Sequence, residues 1–304
     1  MAWIQSAGWP DIAGSLAFFL FGVAVASCVA FALSRRKKRI EHVNSNQVPP
    51  ATVSGLTVSE LTVSALHHNK QGKISDKWAS YLTYYDFLFA PVKDAPINLF
   101  EIGVQNGGSL EIWGQYFQNA QAITGCDIDE KCAALKFDDP RIRVLVGDAN
   151  SQVIYEQALA LAPFDIIIDD GSHRSDYILH SFLLYFPLLK PSGIYVVEDT
   201  HAVYLPPSPG LKSKTSALAF FKELTDLVNF QFWHTEATID DLVSSFLGDI
   251  PMPAILSDGW VESIEFRNSI VTIRKSASAD HNKLGVRHVV GSIAIVAPEV
   301  KGLT

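Results

Sequence analysis

The chain has 304 residues, 48% of them hydrophobic and 18% charged, which is apolar material enough for one large α/β domain or two small ones and excludes a disordered chain. The formal net charge of −8 is unevenly placed, because five of the 24 basic residues form one block from Arg35 to Arg39. From Ile40 onward 31 acidic residues stand against 19 basic ones, a balance that excludes nucleic acid as a partner.

In chain order, residues 12–33 read IAGSLAFFLFGVAVASCVAFAL, without a charge. About twenty such residues cross the roughly 30 Å core of a bilayer as a helix. No basic residue precedes the run and the basic block follows it, so the positive-inside rule places the remainder in the cytoplasm. The expectation is an uncleaved single-pass anchor at 12–33, a short extracytoplasmic N-terminus at 1–11, and a basic stop and linker at 34–51, with Pro49 and Pro50 near its end. A signal peptide would carry its positive charge ahead of the run. Cys28, in this segment, and Cys126 and Cys132 show no C-x-x-C spacing, which argues against a disulfide framework and fits a reducing compartment.

The main domain is expected at 52–275. It begins with an echo, TVSGL-TVSEL-TVSAL, from Thr52 to Leu66, too short for a repeat architecture and read as a short amphipathic helix. Ser75-Asp76-Lys77-Trp78 with Tyr81, Tyr84 and Tyr85 is an aromatic lead-in helix that covers an edge of the sheet; closing over a ligand is the alternative. The first strand, Ile97 to Ile102, runs into Gly103, Gly107 and Gly108, a tight strand-to-helix turn that lets a ligand approach the backbone. Its E-x-G-x-x-x-G spacing is not the dinucleotide G-x-G-x-x-G. A second strand, Ala122 to Cys126, ends at Asp127, placed to hold the two hydroxyls of a ribose. A third, Ile142 to Val146, ends near Asp148, which could accept from an exocyclic adenine amine. Each acid could equally cap a loop.

The stretch Phe164 to His201 then gives strand, helix and strand, with Asp169-Asp170 closing one strand and Glu198-Asp199 the next. The helical pattern runs from Tyr177 to Leu189, and Pro191-Ser192-Gly193 break it before a strand from Ile194 to Val197. His173 lies three residues beyond Asp170, at the mouth of the turn. Ligands bind at the carboxyl edge of parallel strands, so two acidic pairs and an imidazole there suggest a hard divalent cation beside a general base. A proline-rich loop after Tyr204 sits at the same edge, Ser216 to Phe230 reads as an amphipathic helix, and Trp260 to Lys275 as a β-hairpin across Arg267-Asn268. The tail, 276–304, has an apolar run from Val289 to Val296 and no legible motif.

The order of glycine turn, ribose acid, adenine-side acid and terminal hairpin resembles class I S-adenosylmethionine-dependent methyltransferases. More narrowly, Asp169-Asp170-Gly171-Ser172-His173 with Glu198-Asp199 resembles the metal-dependent macrolide sugar O-methyltransferases and the cephalosporin-hydroxylase-type enzymes. The resemblance covers about Ser75 to Lys275. It implies a Rossmann-like, seven-stranded, mostly parallel sheet with a C-terminal antiparallel hairpin. It implies S-adenosylmethionine as cofactor, with Glu101, Gly103, Gly107 and Ser109 around its methionine part, Asp127 on the ribose, and Asp148 with Ala149 at the adenine. It implies Mg²⁺ on Asp170, Glu198 and Asp199, with His173 as base. The acceptor would be a small-molecule or lipid-linked hydroxyl compound, and an oligomer is compatible. Two features depart from the family: the anchor is an addition, and Trp78 stands where a small residue is expected. The rival readings are a nicotinamide-dependent oxidoreductase, against which the glycine spacing argues, and a membrane-tethered scaffold without catalysis.

Overall fold

The computed structural model describes residues 61–206, 208, 214–233, 238–247, 253–257, 259–279, 284–293 and 295. The chain divides into two compact units, 1–52 and 53–304, and every described residue belongs to the second. Five parallel strands form the body of its sheet: β1 (Asn98–Ile102), β2 (Ala122–Asp127), β3 (Ile142–Val146), β4 (Phe164–Asp169) and β5 (Leu189–Val197). Two antiparallel strands, β6 (Val261–Arg267) and β7 (Ile270–Lys275), complete it in the order β3-β2-β1-β4-β5-β7-β6. The strand order reverses between β1 and β4, and the crevice outside such a reversal is where open α/β sheets take ligands.

Central parallel strands are covered on both faces, so they read as continuous apolar runs. Leu99, Ile123, Ile166, Ile168 and Val196 face helices α1 (Val63–His68), α2 (Ala79–Phe89) and α3 (Gly108–Tyr116). Phe100, Ile102, Ile167, Tyr195 and Val197 face α4 (Gln152–Leu159), α5 (Ser175–Tyr185), α6 (Ala217–Leu227) and α7 (Ile239–Leu247). Ser216 caps α6 by accepting from the Ala219 amide at 3.1 Å.

The helix expected to reach Leu189 stops at Tyr185, and a 3-10 turn, Phe186–Leu188, carries Pro187. Strand β5 begins at Leu189 and runs through the expected breaker: Leu189 pairs with Phe164, and the next pair is Ile166 with Ile194. The intervening residues form a bulge, with Ser192 at φ +62°. A bulge takes residues out of the ladder and so accommodates Pro191, which has no amide hydrogen to give.

The expectation of a single-pass membrane location with a cytoplasmic catalytic domain is corrected by the structure. Among the described residues no helix is long and apolar enough to cross a membrane; α2, α5 and α6 reach only 11 residues, about half of what a bilayer core takes. The segment 12–33 itself lies outside the described residues.

Candidate active site

The turn after β1 is pulled against the end of β4. Gly103 has φ +93°, and a Cβ on it would lie 2.1 Å from the carbonyl oxygen of Asp170. The Asp170 amide donates to Ile102 O at 2.9 Å, and the Gly103 amide to Cys126 O at 2.8 Å. Gly107, at φ +78°, is the N-cap of α3. Asp127 organises this turn: Oδ2 accepts from the Val104 and Gln105 amides at 2.8 and 2.7 Å, and Oδ1 from the Asp129 amide at 2.8 Å. Asp148 accepts from the Asn150 amide at 2.9 Å, and the carbonyl of buried Ala149 accepts from the Tyr185 hydroxyl at 2.5 Å.

Glu101 is fully buried. Its Oε2 accepts from the Ser109 hydroxyl at 2.8 Å and from the Trp113 indole at 3.2 Å, whereas Oε1 has no hydrogen-bond partner. Burial pushes its carboxyl up to about 7, against the opposing pull of Lys77. An unsatisfied buried oxygen costs about 1–3 kcal/mol or more. A ligand ammonium at the glycine turn would satisfy it, so the residues present fit the amino-acid end of S-adenosylmethionine.

Alternation along the strands carries Glu101, Asp170 and Glu198 to the face of α2 and α3, and the side chain of Lys77 enters among them. Its Nζ lies 2.5 Å from Asp170 Oδ2, 2.8 Å from Glu198 Oε1 and 3.9 Å from Glu101 Oε1, with the side chain 5% exposed. Burial alone would lower the Lys77 pKa, but Glu198, Asp170 and Glu101 outweigh it and hold the ammonium charged. The Tyr85 hydroxyl donates to the same Glu198 oxygen at 2.6 Å.

Further out, Asp170, His173 and Asp199 each offer one ligand atom, and these atoms lie within 4.8 Å of one another. His173 Nε2 is 3.7 Å from Asp199 Oδ2 and 4.0 Å from Asp170 Oδ1. Asp199 Oδ1 accepts from the Tyr81 hydroxyl at 2.7 Å and the Trp78 indole at 3.2 Å, and the His201 ring, itself against the Ser269 hydroxyl, lies 3.7 Å away. His173 and Asp199 are both left-handed, at φ +57° and +52°, a costly conformation for non-glycine residues that clusters at functional sites. Of the three expected metal ligands, the structure brings Asp170 and Asp199 together beside His173; Glu198 is buried against Lys77 and Tyr85 and is outside this group. Two carboxylates and an imidazole, partly open to solvent, are a donor set that fits a hard divalent cation.

Sequence reasoning placed the 75–85 segment at the sheet edge and missed its part in the site. The signal was there in Lys77, followed at helical spacing by Tyr81 and Tyr85, two hydroxyls on one face of α2. A separate cavity of about 710 Å³, lined by Lys70, Glu111 and Arg141 among others, shares no residue with these acids.

Residues 100–200 match a family described as a methyltransferase domain. The chain is 31% identical over 243 residues to the 8-demethyl-8-alpha-L-rhamnosyl tetracenomycin-C 2'-O-methyltransferase of Streptomyces olivaceus, covering 76% of this chain and 58% of that protein. It is 34% identical over 174 residues to the demethylmacrocin O-methyltransferase of Streptomyces fradiae, covering 52% of this chain and 43% of the relative. The chain thus spans about half the length of these relatives. Among solved structures, the MycE methyltransferase of the mycinamycin pathway, in complex with Mg, SAH and mycinamycin VI, aligns with a TM-score of 0.57 at 24% identity, over 74% of this chain and 54% of that one. By these matches the chain is similar to the S-adenosylmethionine-dependent class I methyltransferases and, among them, to the macrolide and sugar O-methyltransferases.

Proposed function

We propose that this protein is a magnesium-assisted O-methyltransferase that moves a methyl group from S-adenosylmethionine to a hydroxyl of a sugar or related polyol on a small molecule. The observation that carries the reading is the group Asp170, His173 and Asp199, held at the carboxyl edge of β4 and β5 beside a glycine turn whose buried Glu101 has one oxygen without a hydrogen bond. The relatives named as a rhamnosyl tetracenomycin-C 2'-O-methyltransferase and a demethylmacrocin O-methyltransferase support it.

When bound, the cofactor supplies a methyl on a sulfonium and the ion supplies Lewis acidity toward the hydroxyl it holds. Glu101 accepts from the methionine ammonium, and Ser109 and Gly103 border the same part. Asp127 and Asp148, with Ala149, frame the ribose and adenine ends. Asp170 and Asp199 hold the ion. Magnesium prefers oxygen ligands and keeps waters, which leaves the His173 imidazole free to receive the hydroxyl proton at Nε2. An alcohol is too weak an acid for an imidazole alone to ionise it near neutrality. Proton removal and alignment of the oxygen behind the methyl are therefore what the chain contributes.

Purified protein incubated with methyl-labelled S-adenosylmethionine, Mg²⁺ and a panel of glycosylated polyketides and free methyl glycosides tests this. Mass spectrometry of the products should show one added methyl on a sugar oxygen, lost on treatment with EDTA. Labelling that is indifferent to EDTA, or protein that binds NAD and not S-adenosylmethionine in calorimetry, overturns it.

A further inference from the structure

The carboxyl edge of β4 and β5 opens to solvent, and the surface beside it is apolar. Trp78 is 52% exposed, Tyr204 45% and Leu205 52%. Single exposed apolar residues are ordinary on a protein, but large ones gathered at the mouth of a site mark a surface that a ligand or partner covers. These three come from two segments. Trp78 is the N-cap residue of α2, and its side chain makes no capping bond. Tyr204 closes the 3-10 turn Thr200–Tyr204, which leaves the sheet directly after Asp199, and Leu205 follows it. The segments meet at the Trp78 and His201 rings, whose centroids are 6.3 Å apart with planes at 81°. Residues three apart in a 3-10 turn eclipse, so Tyr204 lies on the same side of its turn as His201. The Thr200 amide holds the turn to the sheet by donating to Ser269 O at 3.1 Å.

We propose that Trp78, Tyr204 and Leu205 form the shelf on which the acceptor lies, and that the acceptor is a sugar joined to an apolar aglycone. The inference rests on the O-methyltransferase reading above and deepens it. A hydroxyl delivered to His173 leaves the rest of its molecule at the open side of the edge, which these residues border. A sugar ring is polar at its rim and carries C–H bonds on its faces, and the electron-rich face of an indole attracts such polarised hydrogens. Trp78 is therefore the platform for the sugar. Beyond it, Tyr204 and Leu205 carry no charge. An alkyl or aromatic aglycone covers them, whereas a free sugar or a nucleotide sugar leaves them in water.

Calorimetry on the full chain, with S-adenosylhomocysteine and Mg²⁺ present, tests this by comparing methyl and hexyl glycosides of the same hexoses and 6-deoxyhexoses. In the wild type the hexyl member of a pair should bind at least about tenfold more tightly. Trp78→Ser, which supplies a good N-cap, should weaken both members of the pair at least about tenfold, and Trp78→Phe should stay within about threefold of wild type. Tyr204→Ser and Leu205→Ser should bring the hexyl-to-methyl ratio down toward one. A wild type that binds no member of the panel, or whose ratio is already near one, overturns the shelf. So does a Trp78→Ser variant with unchanged affinities. A flat ratio combined with binding to phosphatidylcholine vesicles that Tyr204→Ser abolishes would make the patch a membrane contact and overturn it equally. Hexyl glycosides that bind with the expected ratio, yet receive no methyl from S-adenosylmethionine, sink the O-methyltransferase reading and leave the shelf standing.

Discussion

Gly103 and Asp170 touch through their backbones: a Cβ on the first would stand 2.1 Å from the carbonyl oxygen of the second. The contact welds the glycine turn to the strand end that bears Asp170, the carboxylate proposed to hold the metal. Gly103→Ala must therefore move backbone as well as strain φ, and a loss of more than about 3 kcal/mol is expected. Gly72 is the control, since its φ of +77° is similarly left-handed but nothing lies within 4 Å of its Cβ position. Gly72→Ala should cost only about 1–2 kcal/mol. Thermal melting of both variants separates the contact from the conformation.

The roles of the outer group are tested by His173→Ala and Asp170→Asn. Each should lower turnover at least about 10²-fold. His173→Ala should leave cofactor affinity, measured by calorimetry, within a few-fold of wild type. Chelation with EDTA should abolish turnover and return it on adding Mg²⁺. Near-normal rates in either variant with the metal present would remove the mechanism.

Glu101 should be felt in binding first. Glu101→Gln keeps the shape and can still accept at its amide oxygen, but it gives up a charge-assisted hydrogen bond, a loss of about 1.5–3 kcal/mol. The dissociation constant of S-adenosylhomocysteine should rise roughly 10–100-fold. An analogue lacking the amino group should bind wild type and variant alike. Equal weakening of the analogue in the variant would place the amino group elsewhere.

Asp169 points to the opposite face from Asp170 and is buried. Its Oδ1 accepts from the Gly171 amide at 3.3 Å, and Oδ2 and the neighbouring Tyr195 hydroxyl stop short of a hydrogen bond. Burial pushes this carboxyl up to about 7. The folded state thus holds a proton more tightly than the unfolded one, so the contribution to stability is full below about pH 4 and is lost as pH rises through about 7. Asp169→Asn, which mimics the protonated acid, should raise Tm by several degrees at pH 8, and the gap should close near pH 4. Melting curves at the two values, taken with EDTA present, check the sign.

The strands were legible because buried parallel strands are made of β-branched runs such as Ile166-Ile167-Ile168, and their carboxyl ends were marked by Gly103, Asp127, Asp170 and Glu198. The helix after β4 was legible only in part. Its apolar pattern continues past Tyr185 because the 3-10 turn and the start of β5 are buried as well. Within the site, residue types were readable but directions were not. Glu198 and Asp199 are neighbours in the chain, yet one faces Lys77 and the other His173, with Asp199 at φ +52°. Aspartate tolerates a left-handed backbone better than most residues but adopts it at few positions, and the sequence does not say which. For the lysine, the spacing with Tyr81 and Tyr85 marks a helix face but not what that face meets: Lys77 is 93 residues from Asp170 and 121 from Glu198, and only the folded sheet closes those distances.

That separation bears on where the catalytic unit begins. The family match opens at residue 100, and a fragment trimmed to it would retain each acid of the cluster while discarding the cation and the two phenols that hold those acids in place. Such a fragment would carry uncompensated negative charge at the carboxyl edge of its sheet, so a fragment meant to keep this cluster balanced must begin upstream of Lys77.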